Sequence, residues 1–203
     1  MSFSVDNTTT SFPHLRDLIR ALPEKICTYL LIGILTLLIF YLSLITTSQP
    51  LSSSESQSVA RAISLLEQKG FRGEAFLLRN VATFRRWDNW LNELAESENA
   101  YAATNFPFEI ITLYPDFFEK AVDDTERAMI LLHEAQHLKG ASEKTAYETV
   151  WRNRTKLGWT LISHGVTETY VTIELQTREH SPELFTCSKN LWNDCTESLL
   201  ARK

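Results

Sequence analysis

Hydrophobic and polar positions follow a helical period over much of the chain between residues 59 and 94. The first series consists of Val59, Ala62, Ile63 and Leu66, and Gly70 is placed to end that helix. A second amphipathic series consists of Phe76, Leu77, Val81, Phe84, Trp87, Leu91 and Leu94. Both series predict core-facing surfaces. For residues 166–178 the β-branched run 171–173 leaves helix and strand open.

The most apolar segment is residues 26–47, which contains 22 residues without a charge and is rich in Leu and Ile. As a helix it would be about 33 Å long, enough for a bilayer core of about 30 Å. A buried soluble helix is rarely so uniformly apolar. The segment therefore predicts one transmembrane helix, with the lipid bilayer as its partner.

The basic residues around this segment predict its orientation. Arg16, Arg20 and Lys25 precede it, whereas residues 49–60 contain no Lys or Arg. The positive-inside rule then places residues 1–25 in the cytoplasm and the C-terminal part in the periplasm or outside the cell. A cleaved signal peptide is the alternative, but its apolar region is usually shorter and no Ala-x-Ala site follows. We therefore expect an uncleaved signal anchor on a single-pass membrane protein.

Composition separates the rest of the chain into a tether and one domain. Residues 48–58 are rich in Ser and Gln and predict a linker. Residues 59–203 are long enough for a core of their own. They predict an extracytoplasmic α+β domain that is mostly helical and has a small sheet.

Two elements of that domain are marked most clearly. Residues 108–114 are β-branched and aromatic and end at Pro115, which predicts a strand. The strand could be either an edge strand or an ordinary core strand. Residues 126–139 contain no Pro or Gly, and candidate N-cap residues precede them, while Gly140 follows. This pattern predicts a helix.

That helix carries His133-Glu134-Ala135-Gln136-His137, an HExxH pattern. Side chains four apart share one helix face, so His133 and His137 can both bind one Zn²⁺ while Glu134 holds a water molecule beside them. Two surface histidines on an ordinary helix are the alternative. The apolar flank 128–132 favours the metal site.

A catalytic zinc needs a third protein ligand. After the turn at Gly140, Ser142 can cap a second helix that folds back on the first. Glu143 in its first turn is the preferred ligand, with Glu148 in reserve because five residues turn its side chain to another face.

The HExxH pattern followed by Glu143, Ala146 and Tyr147 resembles the gluzincin branch of the zincin metallopeptidases, over residues 108–160. The Gly and third His of the metzincin pattern are absent. The resemblance implies a zincin-like catalytic domain with one Zn²⁺ per chain and a peptide or protein substrate.

The mechanism that follows is peptide-bond hydrolysis by a zinc-activated water, with Glu134 as general base. Tyr147 and His164 are candidates for stabilising the oxyanion. Two alternatives stay open: a non-catalytic zinc-binding module, and a metal-free interaction domain on a membrane anchor.

Charge and cysteines complete the sequence predictions. The formal net charge is −5 and no basic cluster marks a nucleic-acid surface, so no nucleic-acid partner is expected. A membrane protein partner remains open. Cys187 and Cys195, eight residues apart, can close a disulfide loop in an oxidising compartment, whereas Cys27 lies within the apolar segment.

Overall fold

The computed structural model describes residues 15–92, 101–187 and 194–196, with side chains from residue 25 onward. The chain divides into two compact units, residues 1–43 and residues 44–203. The predicted disulfide and the predicted C-terminal domain both fall in the second unit, although parts of its C-terminal segment lie outside the described residues.

The first helix, α1, spans Leu15–Thr47. Within its stretch Lys25–Thr47, the most apolar 18-residue window has a mean hydropathy of 2.4, and only 6% of that window is buried. Because the helix is about 1.5 Å long per residue, this stretch is long and apolar enough to cross a membrane. The predicted long apolar helix is confirmed; that it crosses a membrane, and in which orientation, stays a prediction.

The second unit is mostly helical and contains one small sheet, as predicted for the fold class. Its helices are α2 (Ser53–Gln68), α3 (Arg72–Asn80), α4 (Pro115–Glu119), α5 (Asp124–His137), α6 (Glu143–Leu157), α7 (Leu161–His164) and α8 (Glu168–His180), followed by a 3₁₀ turn (Pro182–Phe185). Its strands are β1 (Gln49–Pro50), β2 (Thr83–Arg86), β3 (Ala102–Asn105) and β4 (Ile110–Leu113).

The sheet has the order β1-β2-β4-β3. β2 and β4 are parallel, while β1 pairs with β2 and β3 pairs with β4 in the antiparallel sense. All four residues of β4 are buried. The strand predicted from residues 108–114 is therefore a core strand. The edge strands of the described sheet are β1 and β3, and the sequence analysis missed both.

Helix α5 is the centre of the domain, because it packs against α2, α3, α6 and β3. Nine of its residues are buried, among them the apolar run Ala128–Leu132. Asp123 caps the helix by accepting hydrogen bonds from the amides of Thr125 and Glu126. Burial on nearly every side explains why its sequence is apolar well beyond one stripe.

Two of the sequence predictions need correction. The series that begins at Phe76 is not one amphipathic helix, because α3 ends at Asn80 and β2 follows. Its last member, Leu94, lies outside the described residues. The linker predicted for residues 48–58 contains β1 and the first turns of α2. Ser52 and Glu55 form a capping box there, so the serines start a helix instead of a flexible tether.

Most of residues 166–178, where helix and strand were both open, belong to α8, and Thr167 is its N-cap. Beyond the 3₁₀ turn that follows α8, the predicted Cys187–Cys195 pair is bonded, with the Cα atoms 5.0 Å apart. Next to this bond, Asp194 accepts hydrogen bonds from the Arg154 guanidinium at 2.7 Å and from the Trp151 indole at 2.9 Å. The Arg154 and Asp194 side chains are only 2% and 4% exposed.

This buried ion pair yields a stability prediction. Replacing Asp194 by Ala leaves the Arg154 charge buried with its main carboxylate partner removed, so we expect the free energy of unfolding to fall by about 3–5 kcal/mol. Glu67→Gln, which breaks the exposed pair with Arg79, should cost less than about 1 kcal/mol. Denaturant unfolding of the full chain in detergent measures both variants. Equal losses in the two would contradict this account of the pair.

Candidate metal centre and cleft

Helices α5 and α6 bring His133, His137 and Glu143 to one point. The two Nε2 atoms are 3.0 Å apart. The Glu143 carboxylate oxygens lie 3.2 Å from Nε2 of His133 and 3.3 Å from Nε2 of His137. The histidines are one helical turn apart, so the geometry follows from the 3.6-residue period.

The tight turn between the helices positions Glu143. Gly140 takes the left-handed conformation with φ +76°, which a glycine adopts at no steric cost. Its amide donates to the carbonyl of His137 at 2.8 Å, and the amide of Ala141 donates to that of Gln136 at 3.0 Å. Ser142 then caps α6, with Glu143 as its first residue. The predicted turn at Gly140 and the second helix that Ser142 caps are confirmed.

The three donor groups fit a zinc ion. Ligand atoms about 2.0–2.1 Å from a tetrahedral Zn²⁺ are about 3.3 Å from one another, close to the separations seen here. His137 Nδ1 lies 3.0 Å from the carbonyl oxygen of Ala141. A proton on Nδ1 is donated to that carbonyl, which leaves the lone pair of Nε2 for a metal. Two imidazoles and a carboxylate are a donor set typical of catalytic zinc.

The same closeness shifts the acid–base properties of these groups. Hydrogen bonds from His133 and His137 lower the pKa of Glu143 far below its ordinary value, so it is a carboxylate at neutral pH. Burial by itself would lower the pKa of His137, but the hydrogen bond with Glu143 and the charges of Glu134 and Glu143 outweigh it and raise the pKa. The negative charge of Glu143 therefore favours the protonated form of His137.

Glu134 lies beside this cluster and is only 4% exposed. One of its oxygens, Oε2, accepts a hydrogen bond of 2.7 Å from the Thr104 hydroxyl of β3. This bond fixes the carboxylate and leaves its other oxygen for a reacting group. Thr104 was missed in the sequence analysis, because a threonine in a short Ala-Ala-Thr-Asn stretch gives no signal of its own.

The cluster opens into a cavity of about 590 Å³. One wall is the edge strand β3, with residues 102–104, together with Tyr101 before it and Phe106 after it. The opposite wall comes from α6 and α8, with Tyr147, Ile173 and His180. The cluster of His133, His137 and Glu143, together with Glu134, lies between a strand edge and a mixed apolar and polar wall.

Tyr147, predicted as an oxyanion candidate, lines the cavity. Its ring meets the His133 ring edge-on at 4.4 Å and stacks on His180 at 5.0 Å. Burial, followed by the charges of Glu143 and Glu134, raises the pKa of Tyr147, so its phenol keeps its proton at neutral pH. Sequence reasoning missed His180, which lies 43 residues beyond the HExxH pattern, where spacing carries no information.

Two other candidates lie elsewhere. Glu148, the reserve ligand, interacts with Glu183 and Lys144 and does not line the cavity. His164 is buried with its Nε2 3.1 Å from Asp123, the N-cap of α5. That end is about 15 Å along the helix from His133. The interpretation of His164 as an oxyanion group is therefore wrong, and it supports the helix cap instead.

No protein-family model matches this chain, and no curated protein or solved structure matches it either. The resemblance to the zincins consequently rests on the residues of the site.

The geometry predicts which glutamate binds metal. Glu143→Ala should weaken Zn²⁺ binding about a hundredfold or more, beyond the loss typical of an outer-shell partner, because it removes a direct ligand. Glu148→Ala, on the same helix, should bind as the wild type does. Calorimetric titration of the metal-stripped full chain with Zn²⁺ measures both. A loss confined to Glu148→Ala would overturn the assignment.

Proposed function

We propose that this protein is a membrane-anchored, zinc-dependent metallopeptidase of the zincin type. The observation that carries the proposal is the convergence of His133, His137 and Glu143 at the floor of a cleft, with the Glu134 carboxylate fixed beside them. A structural zinc site is usually closed by four protein ligands, whereas three ligands at the floor of an open cavity are typical of a catalytic site.

Bound by these three side chains, Zn²⁺ would polarise a substrate carbonyl and make a nearby water molecule more acidic. Glu134 is placed to accept the proton of the attacking water and to return it to the leaving amine. Thr104 holds one oxygen of Glu134, so the other oxygen receives the proton in a fixed position. The protonated phenol of Tyr147 can donate a hydrogen bond to the developing oxyanion.

The edge strand supports a polypeptide substrate. β3 ends the described sheet, and residues 102–104 of this strand line the cleft. An extended peptide laid along β3 could form backbone hydrogen bonds with it, as in strand addition. Because such bonds do not depend on side chains, β3 could bind peptides of many sequences. The side chains of the cavity wall would then determine which of these peptides bind well.

The anchor completes the proposal. Residues 26–47 would hold the chain in a bilayer, and the three basic residues before them favour a cytoplasmic N-terminus. The catalytic domain would then be in the periplasm or outside the cell. The Cys187–Cys195 disulfide supports such an oxidising compartment.

Replacing the proposed base tests this function. Glu134→Gln keeps the size and the polar contact to Thr104 but cannot accept a proton, so we expect peptide hydrolysis to fall by about 10²–10⁴-fold while zinc stays bound. Release of new amino termini from an unfolded protein, measured with the zinc content of the full chain, reports both properties.

Glu148→Gln is the matched control, since it makes the same chemical change outside the cleft and should leave turnover unchanged. Wild-type turnover in Glu134→Gln would remove Glu134 from the mechanism. A zinc-loaded wild type that cleaves no peptide would replace the peptidase by a non-catalytic zinc-binding domain.

A further inference from the structure

The end of α1 is fixed to the domain by β2. The Arg85 guanidinium donates to the carbonyl oxygens of Ile45 at 2.7 Å and Ser48 at 2.6 Å, and to the Ser48 hydroxyl at 2.9 Å. These acceptors belong to the last turn of the helix and the residue after it. An arginine there satisfies carbonyls that the helix leaves unpaired and complements the helix dipole.

Strand pairing then defines which residues lie at the level where the apolar span ends. Gln49 pairs with Arg86 in the antiparallel sense. Continued by one residue, this register places Trp87 opposite Ser48, directly after the last residue of the span, Thr47. The backbone amide of Trp90 also lies 3.4 Å from the Thr47 hydroxyl. Both tryptophans are thus within a few residues of the apolar span.

Trp87 is unusual in two respects. Its side chain is 47% exposed, and its backbone has φ +63°, a conformation that bulky residues rarely adopt. The Arg86 guanidinium lies 5.4 Å from the centre of its ring and also pairs with Glu55. The ring is therefore presented to the surroundings at a strained position, and the charge of Arg86 is already partly compensated.

We propose that Arg86, Trp87 and Trp90 form an interfacial surface that rests among the lipid headgroups of the membrane. Tryptophan is enriched at this depth because its ring is apolar while its N–H can bond to water and headgroups. The partner is a lipid surface, and zwitterionic lipid suffices because Arg86 has Glu55 as its counter-ion. The proposal rests on the span of the proposed function and is independent of the peptidase activity.

The sheet connects this surface to the cleft. Arg86 pairs with Leu113, and Leu113 pairs with Ala102, which lines the cavity. Two strand spacings separate Arg86 from Ala102, about 10 Å. With the interfacial surface among the headgroups, this end of the cleft lies close to the bilayer, where the polypeptides within reach are segments that leave or approach the membrane.

Quenching of tryptophan fluorescence tests the proposal with the full chain in phosphatidylcholine vesicles. Lipids brominated near the headgroup should quench the wild type, and the double variant Trp87→Phe/Trp90→Phe should lose most of that quenching. In the background of that double variant, Val81→Trp adds an exposed tryptophan near the other end of β2, which aqueous iodide should quench and brominated lipid should not.

The other outcomes are distinct. If iodide quenches Trp87 as well as it quenches the tryptophan at position 81, the surface faces water and the proposal is overturned. Protection of Trp87 from both quenchers would indicate a protein contact instead of lipid, which also overturns it. Extraction of the chain from membranes by alkaline carbonate would contradict both the membrane span and the interfacial surface. It would leave the proposals about zinc and hydrolysis unaffected.

Discussion

The site depends on one helix that forms the centre of the core and also carries two of the three candidate metal ligands. Helix α5 is buried by α2, α3, α6 and β3, and the face of its second half that borders the cleft carries His133, Glu134 and His137. A helix fixed on all other sides cannot rotate, so these three side chains are held in position before any metal arrives. Such fixed placement is what a zinc site and a general base both require.

The turn at Gly140 extends this constraint to the third ligand. If α6 began one residue later or earlier, Glu143 would turn by about 100° around the helix and leave the two imidazoles. The left-handed glycine and the Ser142 cap therefore determine the donor set as much as the histidines do. On the opposite side, Thr104 makes the position of Glu134 depend on the edge strand.

Local signals explain how far the sequence could predict this arrangement. The HExxH spacing, the Asp123 cap, Gly140 and Ser142 are short-range features, and the cluster of candidate metal ligands follows from them. β3 could not be found in this way, since Ala-Ala-Thr-Asn has little strand propensity and gains its structure by pairing with the buried β4. His180 and Thr104 reach the cleft only through tertiary packing, whereas His164 shows that a histidine in the right part of the chain can cap a helix instead.

The segment between the apolar helix and the domain also differs from its sequence prediction. Its serines predict a flexible tether, yet Leu44 and Ser48 are buried and Arg85 holds the end of α1. A domain cut at Ser52 would lose β1 and leave Arg85 without these acceptors. The segment just after the apolar stretch is thus part of the fold of the second unit.

The most direct test of the central claim is cleavage of an unfolded polypeptide by the full chain after removal of metal with a chelator and again after addition of one Zn²⁺ per chain. The account predicts that new amino termini stop forming when zinc is removed and form again at the original rate when it is restored. Cleavage that continues unchanged without metal, or none with one zinc bound, would contradict it.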